Sequence, residues 1–428
     1  MFNNICSFLF TLILLISPLF SIAQIEIKAE IRPRAELRNG FKAPREKDMD
    51  PAFFVEQRSR LYVNYLRDRF ELHMALQDVR IWGAVDQIYK QDPTLTNFYE
   101  AWARYNFAGN WWVKAGRQAL DYDNARFLGD LDWAQQGRSH DALLIQYQGD
   151  TKFQIHAGAA FNQNVFEPAK LSGTEYFGVN NYKTMQYVWF HNETDLVKYS
   201  LLFHNDGRQT QDTSVAFRQT YGLFSTWSIG QATLGGEFYY QGGKNQNDQN
   251  VSAFLISLSA TMPTDITPVT LGFDYLSGTK IDDTDDHSFN PLYGTNHKFY
   301  GFMDHFYVGN PHSQGNGVTG LFDVFLKTNF KLSEKSILKG DLHYFRSPVE
   351  LYNPENLTEN IDNNLGSELD LVFIHSFAPD AKLWIGYSQL FASDGLIAVK
   401  NNSGNKSATQ NWAWVMFQFK PTLLTKEL

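Results

Sequence analysis

The chain is 428 residues long, with 37 Lys+Arg against 46 Asp+Glu and a formal net charge of -9. That balance offers no basic face for nucleic acid, and a single cysteine, Cys6, supplies neither a disulfide framework nor a cysteine-ligated metal. A mean hydropathy of -0.35 with 15% aromatics suits a soluble fold, and equally a membrane barrel whose alternating strands average out in any hydropathy window.

Residues 1–23 carry no charge, hold an apolar run from Phe8 to Phe20, and end in Ser21-Ile22-Ala23, a small-x-small pattern before Gln24. They read as a secretory signal peptide, although a positive n-region is missing. Cys6 lies inside it, so the mature chain would have no cysteine, which fits the Gram-negative envelope. Beyond residue 23 no run of about 18 apolar residues occurs, so no transmembrane helix is encoded.

From 25 to 37 the odd positions read Ile, Ile, Ala, Ile, Pro, Ala, Leu, and the even positions from 26 to 38 read Glu, Lys, Glu, Arg, Arg, Glu, Arg. A period of two puts every charge on one face, as a water-filled lumen behind a lipid-facing wall requires. Similar segments follow at 54–66, 69–81, 96–107, 111–119, 138–148, 151–161, 183–193, 197–204, 215–225, 229–241, 250–261, 267–278, 316–331, 334–346, 366–377, 380–392 and 410–419. The total is about eighteen strands, with Ile25, Ile27, Ile31, Leu72 and Met74 expected to face lipid.

The connections alternate in length. Those at 39–53, 82–95, 120–137, 162–182, 205–214, 242–249, 279–315, 347–365 and 393–409 are long. Those between them are short, such as Arg67-Asp68-Arg69, Gln148-Gly149-Asp150 and Ala378-Pro379-Asp380. A β-sandwich or propeller has no reason to produce this parity. The expectation is an all-β chain: a single transmembrane antiparallel β-barrel over 24–428, in contact with outer-membrane lipid. It would have short periplasmic turns, long extracellular loops and both termini in the periplasm.

All arginines except Arg208, Arg218 and Arg346 lie between Arg32 and Arg138, on one arc of the expected wall. Parity turns Arg32, Arg34, Arg38, Arg58 and Arg60 to the lumen, with Arg80, Arg104 and Arg117 near strand ends. Glu26, Glu30, Glu36, Glu56, Glu71 and Glu100 nearly balance them. Two readings follow: an ion-paired wall that satisfies buried charge, or a cationic ladder for a polyanion. The connection 120–137 interleaves charge with glycine between two wall strands, and is expected to fold into or over the pore mouth.

Gly116-Arg117-Gln118 is followed by Leu131-Asp132-Trp133-x-x-Gln136-Gly137-Arg138-Ser139-x-Asp141. Phe273-Asp274-Tyr275-x-Ser277-Gly278 and Tyr293-Gly294-Thr295-Asn296-His297-Lys298-Phe299-Tyr300-Gly301-x-Met303-Asp304 come later. In these motifs and their order the chain resembles the alginate export family of outer-membrane barrels. The resemblance implies an 18-stranded barrel with an arginine-rich pore that passes anionic polyuronate. It also implies that Arg117, Arg126, Asp132, Arg138 and Asp141 belong to the constriction. The chain departs from the family in its modest connections 39–53 and 82–95, and in a last strand ending at Phe419 before Lys420-Pro421-Thr422-Leu423-Leu424-Thr425-Lys426-Glu427-Leu428.

Ser139-His140-Asp141 cannot form a triad on a strand, where successive side chains alternate between faces. His297, His305 and His312, with the acidic run Asp282-Asp283-Thr284-Asp285-Asp286-His287, match no metal template, and the acidic run is expected to be solvated. No cofactor and no catalytic site are expected. The expected function is passive passage of an anionic saccharide along Arg32, Arg34, Arg58, Arg60, Arg80, Arg104, Arg117, Arg126, Asp132, Arg138 and Asp141, with periplasmic export or uptake partners. A differently selective porin and a barrel enzyme are the alternatives.

Overall fold

The computed structural model describes residues 23–84, 96–149, 152–163, 176, 181–211, 214–310, 312–315 and 317–428. The expected signal peptide, apart from Ala23, lies outside the described residues, as do most of the connections 82–95 and 162–182.

A sheet closed on itself satisfies every backbone N–H and C=O without water, and this chain adopts that solution. Its wall begins with β1 (Ala23–Asn39), β2 (Ala52–Arg67), β3 (Phe70–Ile81), β4 (Thr96–Ala108), β5 (Trp111–Gln118), β6 (His140–Gln148) and β7 (Phe153–Phe161). It continues through β8 (Thr184–Glu193), β9 (Val197–Gln209), β10 (Val215–Ile229), β11 (Ala232–Lys244), β12 (Asn250–Met262) and β13 (Val269–Leu276). Ribbons β14 (Ser313–Gln314) with β15 (Gly317–Val318), and β18 (Leu351–Asn353) with β19 (Asn356–Ile361), belong to the long connections. The wall is completed by β16 (Leu321–Ser333), β17 (Ser336–Arg346), β20 (Asn364–Ala378), β21 (Ala381–Ala392), β22 (Gln410–Phe419) and β23 (Thr422–Glu427).

Each wall strand pairs antiparallel with its neighbours, and β1 pairs with β2 on one side and with both β22 and β23 on the other. The 19 segments of this sheet therefore fill the positions of an 18-stranded closed barrel. β22 ends at Phe419, as the sequence indicates, and the edge continues in a further segment, β23. Pro421 lacks the N–H a ladder needs and interrupts it, and pairing resumes with Lys28 opposite Thr422 and runs to Gln24 opposite Glu427.

Alternation holds along β1. Glu30, Arg32, Arg34 and Glu36 are buried on the inner face, while Ile31 and Leu37 are 48% and 41% exposed on the outer one. Leu143, Ile145, Leu201, Leu258, Leu271 and Leu326 continue the outer apolar belt. All long connections leave one end of the barrel and all tight turns the other. The first described residue and the last meet at the short-turn end, where Leu428 N donates to Ala23 O at 2.7 Å. Two connections are shorter than expected, because β9 runs on to Gln209 and β11 to Lys244. The added β9 residues, Asn205-Asp206-Gly207-Arg208-Gln209, are polar on both faces, so no apolar period marks the strand there.

The lumen is largely filled. Leu120, Phe127 and Leu128 of the connection 119–139 pack in one apolar cluster with Phe289, Tyr293, Tyr300, Met303 and Phe306 of the connection 277–320. Leu255, Leu276, Phe345, Trp412 and Trp414 of the wall join them. Helix α1 (Asp394–Val399) caps the same end, its Ser393 Oγ accepting from Leu396 N at 3.2 Å.

Candidate functional site

The connection 119–139 turns into the barrel and is held at both flanks by charge. Arg126 reaches the far wall. There its Nη1 and Nη2 donate to Asp274 of β13 at 2.7 and 2.9 Å, and Nη2 donates to Ser257 Oγ at 3.1 Å and to Glu237 of β11 at 3.3 Å. Its guanidinium also lies 3.8 Å over the Phe299 ring. The site is fully buried, and one cation is shared between two carboxylates, so the cluster keeps a net negative charge.

Asp132 reaches the opposite wall. Its carboxylate accepts from Arg58 Nη1 at 2.8 Å, Arg32 Nη1 at 3.4 Å and Arg60 Nη1 at 3.4 Å. Burial raises this carboxyl, and the Arg58 and Arg32 charges more than offset it, holding it down to about 2. The rest of the loop serves this cluster too: Trp133 O accepts from Arg34 Nη1 at 3.0 Å, and the Gln135 side-chain Oε1 from Arg32 Nε at 3.1 Å. Behind them, Arg58 donates to Glu30 at 2.8 Å, Arg34 to Glu36 at 2.8 Å and to Glu56, and Arg60 to Gln77 at 2.7 Å.

The connection 277–320 also folds inward, onto carboxylates of β20. Met303 N donates to Glu368 at 2.8 Å and Phe302 N to Asp370 at 3.3 Å. The two loops then grip each other, with Gly129 N donating to Tyr293 O at 3.0 Å and Thr295 N to Ala125 O at 2.8 Å. Trp133 stacks on His297 with ring centroids 4.6 Å apart.

What the loops leave open is a cavity of ≈ 970 Å³ at the long-loop end, beside β5, β6, β9 and β10. Arg117, Arg138, Arg208 and Arg218 line it, the lining acids among the described residues are Asp141 and Asp286, and Asp206 stands behind Arg208. Arg138 donates to main-chain oxygens, Gly294 O at 2.9 Å and Tyr293 O. Arg208 pairs with Asp206 at 2.9 Å and Arg218 with Asp286 at 3.3 Å. Tyr293 OH donates to the same Asp206. Guanidiniums held this way keep donors directed to the cavity, so the chamber is suited to carboxylate-bearing solutes.

The residues singled out from sequence fall into several places. Arg32, Arg34, Arg58 and Arg60 come together, but 3%, 4%, 1% and 5% exposed they face the docked loop and not open water. Arg126 is in the far wall. Arg117 and Asp141 pair at 3.1 Å at the cavity rim, on strand positions that alternate outward with Ala115 and Leu143, with Arg138 deeper. Arg80 forms a two-pronged pair with Asp78, both contacts 2.6 Å. Arg104 lies 4.0 Å over Trp112 and 3.4 Å from Glu71, well away from the loops. The five residues implied by resemblance to share the constriction are thus spread over three sites.

Arg208 and Arg218 lie outside the arginine arc of residues 32–138. The signal that could have found them is positional, since both sit on inner-face positions at the loop end of adjoining strands. Asp286 corrects the reading of Asp282–Asp286 as a solvated run: it turns in to Arg218 and accepts from Asn245 Nδ2 at 3.1 Å. Ser139-His140-Asp141 diverges as strand geometry requires, His140 meeting Tyr182 OH at 2.9 Å inside while Asp141 meets Arg117. His297 bonds Asp304 at 2.7 Å and His305 meets Gly40 O at 2.9 Å, so these histidines do not converge. No group of acids and histidines able to hold a metal occurs among the described residues.

The alginate export family profile matches residues 23–410. The chain belongs to the alginate export family. No curated protein sequence matches it. Among solved structures it is similar to OccAB4 of Acinetobacter baumannii, with TM-score 0.61, 11% identity, and 93% of this chain and 98% of that one covered. It is also similar to OccK2 (OpdF) of Pseudomonas aeruginosa, determined in complex with glucuronate, at TM-score 0.59 and 10% identity over 94% and 98% of the two chains. OpdK of the same organism, determined with vanillate, gives TM-score 0.59 and 8% identity over 94% and 99%. At these identities the likeness is one of fold: this alginate export family member is an outer-membrane β-barrel of the porin type.

Proposed function

We propose that this barrel is a passive channel for a small anionic carbohydrate bearing carboxylates, a uronate or short uronate oligomer. One observation carries the reading: the cavity left by the two inward loops is lined by four arginines and two aspartates, although the whole chain is acidic. Selectivity follows the charge nearest the path, where the dielectric is low, and not the sum over exposed loops. The arginines replace water around a passing carboxylate, and Asp141 and Asp286 keep the binding weak enough for release. A chamber of ≈ 970 Å³ suits a short solute better than a polymer. The long loops would face the exterior, and the tight turns and both chain ends the periplasm.

The family and the glucuronate-bound relative support the same substrate class. The test is the reversal potential of the full chain in planar bilayers under a potassium chloride gradient, followed by glucuronate titration. A preference for chloride, with the current reduced by glucuronate and not by uncharged glucose, is the expected result. A chloride-to-potassium permeability ratio at or below one would overturn the reading.

A further inference from the structure

The seat of Asp132 has an unusual charge balance. Arg32 and Arg60 are buried, and among the described residues Asp132 is the only carboxylate either of them pairs with. Every hydrogen bond from the Arg32 side chain goes to the connection 119–139: to Asp132, Gln135 and the carbonyls of Trp133 and Ala134. Arg58, 1% exposed, still has a buried Nε with no hydrogen-bond partner. Meanwhile the side chain of Asp132, touched by three guanidiniums, is 47% exposed. Three buried cations thus hold a carboxylate that the chain supplies from a loop and that solvent reaches from the other side.

From this we infer that Arg32, Arg58 and Arg60 form a second carboxylate-binding site, occupied in this conformation by Asp132 as a stand-in for a uronate carboxylate. The inference rests on the proposed function for its ligand class. Buried guanidiniums tolerate loss of their partner poorly, so withdrawal of Asp132 alone is disfavoured. An incoming carboxylate restores the pairing and lets the Asp132 side chain withdraw from its seat, while Arg126 keeps the loop's far attachment, so the exchange is local and open only to solutes that carry a carboxylate. A neutral sugar cannot drive the exchange, because it has no differential affinity for the vacated seat.

The experiment uses the full chain refolded in detergent as wild type, Asp132→Ala and Asp132→Asn, melted in chloride, acetate, glucuronate and uncharged glucose. Asp132→Ala opens the seat, and acetate or glucuronate is expected to raise its melting temperature at concentrations about tenfold lower than any that affect wild type, with glucose inert. Asp132→Asn, which still fills the space, is expected to respond less than Asp132→Ala. If Asp132→Ala refolds in acetate and not in chloride, the site is supported; if it refolds in neither, or its response to carboxylates matches wild type, the inference falls. These melts involve no transport, so they separate from the reversal-potential test. An anion-selective wild type with an unresponsive Asp132→Ala removes the site alone. A responsive Asp132→Ala in a cation-selective barrel removes the channel reading and leaves the site.

Discussion

Arg126 and Asp132 sit on one lumen-crossing loop and carry opposite charges to opposite walls, Arg126 to Asp274 at 2.7 Å and Asp132 to Arg58 at 2.8 Å. The loop is therefore a strut under electrostatic attachment at both sides. Arg126→Met keeps much of the side-chain volume but leaves Glu237 and Asp274 facing each other without a cation. The expected cost is about 3–5 kcal/mol, and the freed loop should raise and destabilise single-channel current. Thermal melting in detergent and single-channel recording check the two effects; a stable variant with wild-type conductance would show the strut to be dispensable.

Selectivity should follow the cavity arginines unequally. Among the described residues Arg138 makes no ion pair and bonds main-chain carbonyls, with Asp130 acting on it from farther off, whereas Arg117 is half-exposed and paired with Asp141 at the rim. Arg138→Ala is expected to lower the chloride-to-potassium permeability ratio several-fold, and Arg117→Ala by much less. Reversal potentials of the two variants decide the order, and a larger effect from Arg117 would move the selective point outward.

Lys400 gives the loop end a pH dependence. It closes α1, its amine donates to His305 O, and burial brings it down to about 7 from 10.5. The unfolded chain keeps this proton up to about 10.5 and the folded one loses it above about 7, so stability rises with pH between those values. The contribution is complete above the unfolded value and is lost as pH falls toward the folded one. His305 and His312, pushed down to about 3 mainly by burial, do not titrate in this window. Going from pH 9 to pH 7 should weaken docking of the segment 393–409 by about 2 kcal/mol, read as faster hydrogen exchange in α1. Lys400→Met should flatten the dependence.

Gly301 holds the second inward loop against β20. At φ +80°, a Cβ there would lie 2.7 Å from Glu368 Oε1, beside the bond from Met303 N. Gly309, at φ +70°, has open space around it. Gly309→Ala should thus show backbone strain alone, about 1 kcal/mol, and Gly301→Ala more, because the Glu368 carboxylate must also move. Comparative melting of the two variants separates strain from clash.

The wall was legible because lipid outside and water inside force one period on every strand, as Ile31 beside Glu30 and Arg32 shows. The inward fold of 119–139 was legible only as charge and glycine content. Its attachments were not, because Arg126 and Asp274, or Arg32 and Asp132, meet through tertiary geometry that no local pattern encodes. The arginine arc was visible, but not that the chain's own loop covers it. Strand limits failed where polar residues occupy both faces, as at β9, and β23 was not legible because Pro421 interrupts the ladder before it.

Every other pairing in the wall joins strands that are neighbours in sequence, but the seam joins Ile31 to Phe419 and Gln24 to Glu427. Hairpins can form in succession at small entropic cost, whereas this one register must be found across nearly the whole chain. Until it is found, two strands expose unpaired backbone in lipid, one of them already broken at Pro421. The slow, cooperative step of assembly is therefore closure of that seam, and mutations along it should act on the rate at which the barrel matures more than on what it conducts once complete.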